Sequence, residues 1–104
     1  MYVVLYSFQV KFNQEAPFIE GWQGLTELIY KYEGSLGSRL HKNKRLEYLA
    51  YAQWPSKHIF DNSGENLPEK ANGFKDLMRS SCHKIEIINQ TEVVKDLLAD
   101  KLYD

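Results

Sequence analysis

From Tyr2 to Lys11 the chain runs Tyr-Val-Val-Leu-Tyr-Ser-Phe-Gln-Val-Lys, rich in β-branched and aromatic residues and followed by the turn-forming Asn13, which predicts a first strand. Alternation sets Val3, Leu5, Ser7 and Gln9 on one face and Val4, Tyr6, Phe8 and Val10 on the other. Neither set is plainly solvated, so both faces call for cover. Residues 13–15 offer a helix start and Pro17 suits a first turn. Phe18, Trp22, Leu25, Ile29 and Tyr32 then recur at spacings of four, three, four and three, the mark of a helix with one apolar stripe. Gly21 and Gly24 inside it each cost about 1 kcal/mol against alanine, which implies a packing reason such as close approach to a sheet. Gly34 ends the helix.

Ser35 to Lys42 and Leu46 to Trp54 are strand-like runs flanking the polar Asn43-Lys44-Arg45, and so form a hairpin. A three-residue loop puts Leu36, Ser38 and Leu40 on the face of Leu46, Tyr48, Ala50, Ala52 and Trp54, whereas a two-residue loop puts Arg39 and His41 there. The first joins apolar to apolar and is the expected register. Pro55 closes the strand, and Ser56 to Asn62 suit a short helix or turn. Asn66 and Pro68 then open a second main helix carrying Leu67, Ala71, Phe74, Leu77 and Met78. Cys82 to Ile88 predict a fourth strand, with Ile85 and Ile87 on one face and Ile88 on the other. The tail from Thr91 fits two states: Val93, Val94, Leu97, Leu98 and Leu102 suit a helix, while Glu92 to Val94 could prolong the strand.

Strand, helix, strand, strand, helix, strand is the ferredoxin-like order. The expected class is therefore α+β, βαββαβ, one domain over residues 1–104, with a four-stranded antiparallel sheet and its helices on one face. The bare face would then carry Val4, Tyr6, Phe8, Val10, Leu49 and Tyr51. So large an apolar patch predicts a partner surface, most simply a homodimer through the sheet face.

Composition narrows the function classes. Of 104 residues 43% are hydrophobic and 26% charged, as in folded soluble domains, and a formal net charge of −1 supplies no global positive field for nucleic acid. The single Cys82 excludes an internal disulfide and a multi-thiolate metal site, which suits the cytoplasm. The first eleven residues are too short and too alternating for a membrane span or signal peptide. The sequence has no phosphate-cradling glycine loop, no Gly-x-Ser-x-Gly, and no His-x-x-x-His or Cys-x-x-Cys spacing, and neither metal nor cofactor is expected. Cys82 and His83 are strand neighbours and face opposite ways.

A few residues remain as candidates for chemistry. Trp54 shares a face with the small Ala50 and Ala52, which leave room beneath the helices for an indole to stack on a planar ligand; a strand-end tryptophan also serves as core. Ser7, polar within an apolar strand, could offer its hydroxyl to the same cavity. Arg39 and His41 point the same way: an imidazole could take a proton and a guanidinium hold the resulting anion, although both also suit an exposed pair. Tyr48 and Tyr51, like Tyr6, could hydrogen-bond a substrate.

Gly34-Ser35-Leu36-Gly37-Ser38-Arg39-Leu40-His41 after the first helix, and Ala50-Tyr51-Ala52-Gln53-Trp54-Pro55-Ser56 at the end of the third strand, together with the element order, resemble the antibiotic biosynthesis monooxygenase family. Glu92 to Leu98 is also similar to that family's C-terminal segment. The resemblance implies a dimeric α/β barrel and a pocket role for Trp54. It also implies a choice of activities, from cofactor-independent oxygenation of a small electron-rich aromatic to non-catalytic binding or a stress-related role. Haem-degrading members carry an asparagine where Ser7 stands and a histidine about three helical turns past the tryptophan. Residues 64–82 here contain no histidine, which sets this chain apart from them.

Overall fold

The computed structural model describes residues 1–99. Its elements are β1 (Tyr2–Val10), α1 (Glu15–Tyr32), β2 (Ser38–Lys44), β3 (Glu47–Trp54), α2 (Lys57–Asp61), α3 (Ala71–Ser80) and β4 (Cys82–Glu92). The strands form one antiparallel sheet in the order β2-β3-β1-β4, with α1 and α3 packed on one face: the expected α+β, ferredoxin-like arrangement. None of the described helices is long and apolar enough to cross a membrane.

Pairing of β1 with β3 decides which face is covered. Tyr6 lies opposite Ala50 and Phe8 opposite Tyr48, so these residues share a side. Val4, Phe8 and Val10 are 0%, 3% and 2% exposed beneath the helices. This reverses the expectation for β1: its even-numbered residues face the helices, and the opposite face carries Val3, itself buried, with the less buried Leu5, Ser7 and Gln9. The reason is volume. Ala50 and Ala52 leave space on the covered side, and the aromatic rings of Tyr6 and Phe8 fill more of it than Ser7 could.

The β2–β3 hairpin joins faces as expected, Ser38 opposite Ala52 and Leu40 opposite Ala50. Its turn differs. Lys44 pairs with Glu47 around Arg45-Leu46, and a bulge between Lys42 and Lys44 restores the apolar register. Leu46 adopts φ 63° there, and its carbonyl accepts from the Val10 N–H at 2.8 Å.

Gly21 and Gly24 face α3, not the sheet. A Cβ on Gly21 would lie 2.8 Å from the Met78 backbone nitrogen, and one on Gly24 would lie 2.4 Å from the Phe74 ring. Their absent side chains let the two helices touch. At its other end α1 stops before Gly34, whose φ of 82° suits glycine. There Glu33 turns a buried carboxylate toward the loop ahead of α3. It accepts hydrogen bonds from the Gly64 N–H, from the Asn66 N–H at 3.3 Å and from the Asn66 Nδ2 at 2.9 Å.

Ser56 caps α2, its Oγ accepting from the Ile59 N–H at 3.2 Å. Phe60 of α2 then meets Trp54 edge-on, centroids 5.4 Å apart, and Tyr2 at 6.1 Å. The strand alternative for the tail holds as far as Glu92. A bulge opposite Leu5 and Tyr6 leaves Ile88 as the extra residue while Ile85 and Ile87 face Phe8 and Tyr6. Residues 93–99 form no helix, and Leu102 lies outside the described residues.

Candidate functional site

Between the sheet and the helices lies a cavity of about 140 Å³. Its floor is Ala50 and Ala52 of β3 with Tyr6 and Phe8 of β1. Trp22, Leu25, Thr26 and Ile29 of α1 and Met78 of α3 roof it. Trp54 and Ile85 complete the walls, with Ser35 and Ser38 at the β2 side. Small residues on the strand and bulky ones on the helix thus hold the layers apart at this point while Phe8, Phe18 and Tyr48 close one end, ring centroids 5.0 and 5.2 Å apart.

Few polar groups line it. The two serines are already engaged: Ser35 Oγ accepts from the Gly37 N–H at 2.9 Å, and Ser38 Oγ donates to the Tyr51 carbonyl at 3.0 Å. The Trp54 indole is different. It is 4% exposed, and its Nε1–H is buried without a hydrogen-bond partner, a state that costs about 1–3 kcal/mol. Burial also pushes the Tyr6 phenol above its ordinary pKa, so at neutral pH it is a protonated donor and not a base. No carboxylate, imidazole or ammonium group lines the cavity among the described residues.

The structure divides the residues singled out from sequence. Trp54 lies on the cavity wall. Ser7 does not: it sits opposite Leu49 on the open face, because β1 presents its even-numbered side to the helices. Arg39 pairs with Tyr51 and His41 with Leu49, which puts Arg39, His41 and Tyr51 on that open face too, away from Trp54. They border a wider surface groove of about 510 Å³, also lined by Gln53, Val93 and residues 95–98. Tyr48 is on the covered side but beyond the cavity. Its hydroxyl donates to Glu15, which also receives Lys42 Nζ at 2.9 Å. The Tyr48 bond, then Lys42, holds the Glu15 carboxyl below its usual range. Burial, then the Glu15 carboxylate, raises the Tyr48 phenol. Tyr48 therefore ties α1 to the sheet edge.

Tyr6, Trp22 and Thr26 belong to the cavity instead. Trp22 was visible as part of the α1 stripe; Tyr6 was expected as a possible hydrogen-bond partner of a substrate but assigned to the bare face, because the alternation of β1 is ambiguous until its pairing with Ala50 resolves it.

No family model and no curated protein matches the sequence. Solved structures do match the fold. SnoaB, a cofactor-independent oxygenase from Streptomyces nogalater, is 14% identical at a TM-score of 0.73, covering 92% of this chain and 95% of its own. An antibiotic biosynthesis monooxygenase structure is 13% identical at 0.70, covering 91% and 100%. A conserved protein of unknown function from Bacteroides thetaiotaomicron, described as a possible oxidoreductase, is 14% identical at 0.68, covering 88% and 97%. At such identities the likeness is one of fold: this chain folds as the antibiotic biosynthesis monooxygenase structures do, in keeping with the resemblance in its sequence.

Proposed function

We propose, from that shared fold and the Trp54 cavity, that this chain is a cofactor-independent monooxygenase acting on a small electron-rich aromatic of phenol or hydroquinone type. The observation that carries this reading is the buried, unpartnered Nε1–H of Trp54 beside an aromatic-walled cavity. A ligand oxygen accepting from it would recover the cost of burying that donor. Tyr6, protonated at neutral pH, supplies a second neutral donor to the same space. Both would hydrogen-bond the oxygen of a ring that enters as the neutral phenol, and so lower the cost of its anion when the proton leaves to water ahead of electron transfer. The phenolate gives an electron to dioxygen, and the radicals join at a ring carbon. Loss of water from the resulting peroxide leaves a quinone: a phenol and O₂ become a quinone and H₂O. Exclusion of bulk water protects the reactive intermediates.

Oxygen uptake by metal-free protein mixed with hydroquinones and anthrones tests this. Trp54→Phe keeps an aromatic ring and removes the donor, with an expected fall in kcat of about 100-fold. Absence of uptake with every substrate would sink the oxygenase reading.

The lack of a charged or basic group on the cavity wall among the described residues favours a second reading, ligand binding without turnover. It is distinguished by binding heat in the absence of oxygen uptake. For partners, we infer a homodimer through the open face, where Leu5, Leu49 and Tyr51 are only half-buried and where Leu97 and Leu98 of the tail are exposed. Sedimentation that remains monomeric at high concentration would overturn it. A cytoplasmic site of action fits the free, buried Cys82.

A further inference from the structure

The dimensions and charge of the cavity point further than a general aromatic. We infer that the ligand is a single aromatic ring without a charged substituent, and that Trp22 and Met78 set its size limit. This rests on the reading that the Trp54 cavity is the binding site.

The cavity measures about 140 Å³. An apolar cavity of about 150 Å³ in another protein binds benzene, whereas sites for larger organic ligands run from roughly 300 Å³ upward. One ring fills the space; three fused rings need more than it holds.

The walls resist enlargement. The floor cannot recede, since Ala50 and Ala52 are already small and belong to a strand hydrogen-bonded on both sides. The roof cannot rise freely either. Helix α1 touches α3 so closely at Gly21 that a single added carbon would stand 2.8 Å from Met78 backbone nitrogen. Lifting α1 would part that contact and also the Glu33 hydrogen bonds to Gly64 and Asn66. At the far end, Tyr48 and Glu15 anchor the first turn of α1 to the sheet. The space over the alanines is therefore fixed in height by three attachments along one helix, and among the side chains that roof it Trp22 is the largest and Met78 the one contributed by α3.

Charge sets the second limit. Among the described residues, no Lys, Arg or His lines the cavity, so a carboxylate carried in would lose its water and meet no cation. A phenol oxygen needs only one or two hydrogen bonds, which Trp54 Nε1–H and the Tyr6 hydroxyl are suited to give.

Calorimetric titration of the full chain under anaerobic conditions tests the inference with four probes: methylhydroquinone, para-hydroxybenzoate, naphthohydroquinone and anthrone. Methylhydroquinone is expected to bind at least about tenfold more tightly than each of the others. Met78→Ala is expected to admit naphthohydroquinone, and Trp22→Leu opens the same roof from α1 should the first variant fail to fold. Anthrone or para-hydroxybenzoate binding the unaltered protein as tightly as methylhydroquinone would overturn the inference, and so would failure of every probe to bind. Oxygen uptake on admitting air to the same samples separates the two proposals. Oxygenation of anthrone removes the size limit and leaves the oxygenase; tight methylhydroquinone binding with no uptake keeps the size limit and removes the oxygenase.

Discussion

The two faces of the sheet come from the same strands and hold different chemistry. Toward the helices β1 and β3 present Val4, Tyr6, Phe8, Ala50, Ala52 and Trp54, and all but the half-buried Tyr6 are buried. One residue along in each case, the open side holds Leu5, Ser7, Gln9, Leu49, Tyr51 and Gln53, with Arg39 and His41 added by β2. Charge collects where no helix covers the sheet, and the dry space collects where one does. A mechanism that needs a cation or an imidazole belongs to the open side; one that needs exclusion of water belongs beneath α1. The residues proposed from sequence mixed the two, joining Trp54 to Arg39, His41 and Ser7 across the thickness of the sheet.

The contrast can be broken most severely in β1. Phe8→Ala empties a position 3% exposed between Phe18 and the cavity and is expected to cost about 4 kcal/mol in urea unfolding. Leu5→Ala, three residues earlier on the open side, is expected to cost under about 1 kcal/mol in the monomer. A larger loss for Leu5→Ala that grows with protein concentration would show that a second copy covers the open side.

The roof is the next target. Gly21→Ala adds a carbon against Met78 backbone and is expected to lose about 2 kcal/mol despite the better helix propensity of alanine, again by urea unfolding. A neutral or stabilising result would mean that α1 and α3 separate easily, and with it the argument for a cavity of fixed height would fall.

A smaller effect sharpens the picture at the buried edge. Desolvation pushes the Cys82 thiol up to about 11. Iodoacetamide should therefore label the native chain at pH 8 about 100-fold more slowly than the unfolded chain. Because the folded state holds its proton to higher pH, this residue's contribution to stability is complete below about pH 9 and declines as pH rises toward about 11. Labelling of native protein at the unfolded rate would contradict that burial.

The smallest expected change is on the open side. Arg39→Ala and His41→Ala should leave calorimetric affinity for a cavity ligand within about twofold of the parent value. A loss of tenfold or more from either would return those side chains to the site.

Much of this was legible in the chain, and the failures have a shared cause. The α1 stripe and the β2 alternation within the hairpin each set apolar residues on one side against polar residues on the other, so their periodicity could be read directly. In β1 both alternate sets are mostly apolar, and period alone gives no preference. Only the partner strand decides, through the empty space above Ala50 and Ala52 that Tyr6 and Phe8 fill. That single reversal moved Ser7 out of the cavity and Tyr6 into it. The unpaired state of Trp54 Nε1 was equally invisible, since it depends on which acceptors the fold fails to bring near. Gly21 and Gly24 signalled a close approach but not whether sheet or helix would supply it. The tail kept two readings because Val93 and Val94 suit either, and the backbone bond from Val93 N–H to the Met1 carbonyl at 2.9 Å, which continues the strand pairing, is a long-range choice.

The chain contains two tryptophans, Trp22 and Trp54, and both wall the same cavity, one from the helix above and one from the strand below. All of the protein's indole emission thus originates within a few side chains of that space. Its wavelength and intensity report whether the space is dry, wet or filled. The molecule carries its own optical gauge, without an added dye, and replacing either indole by phenylalanine leaves a reporter that views the same contents from a single side.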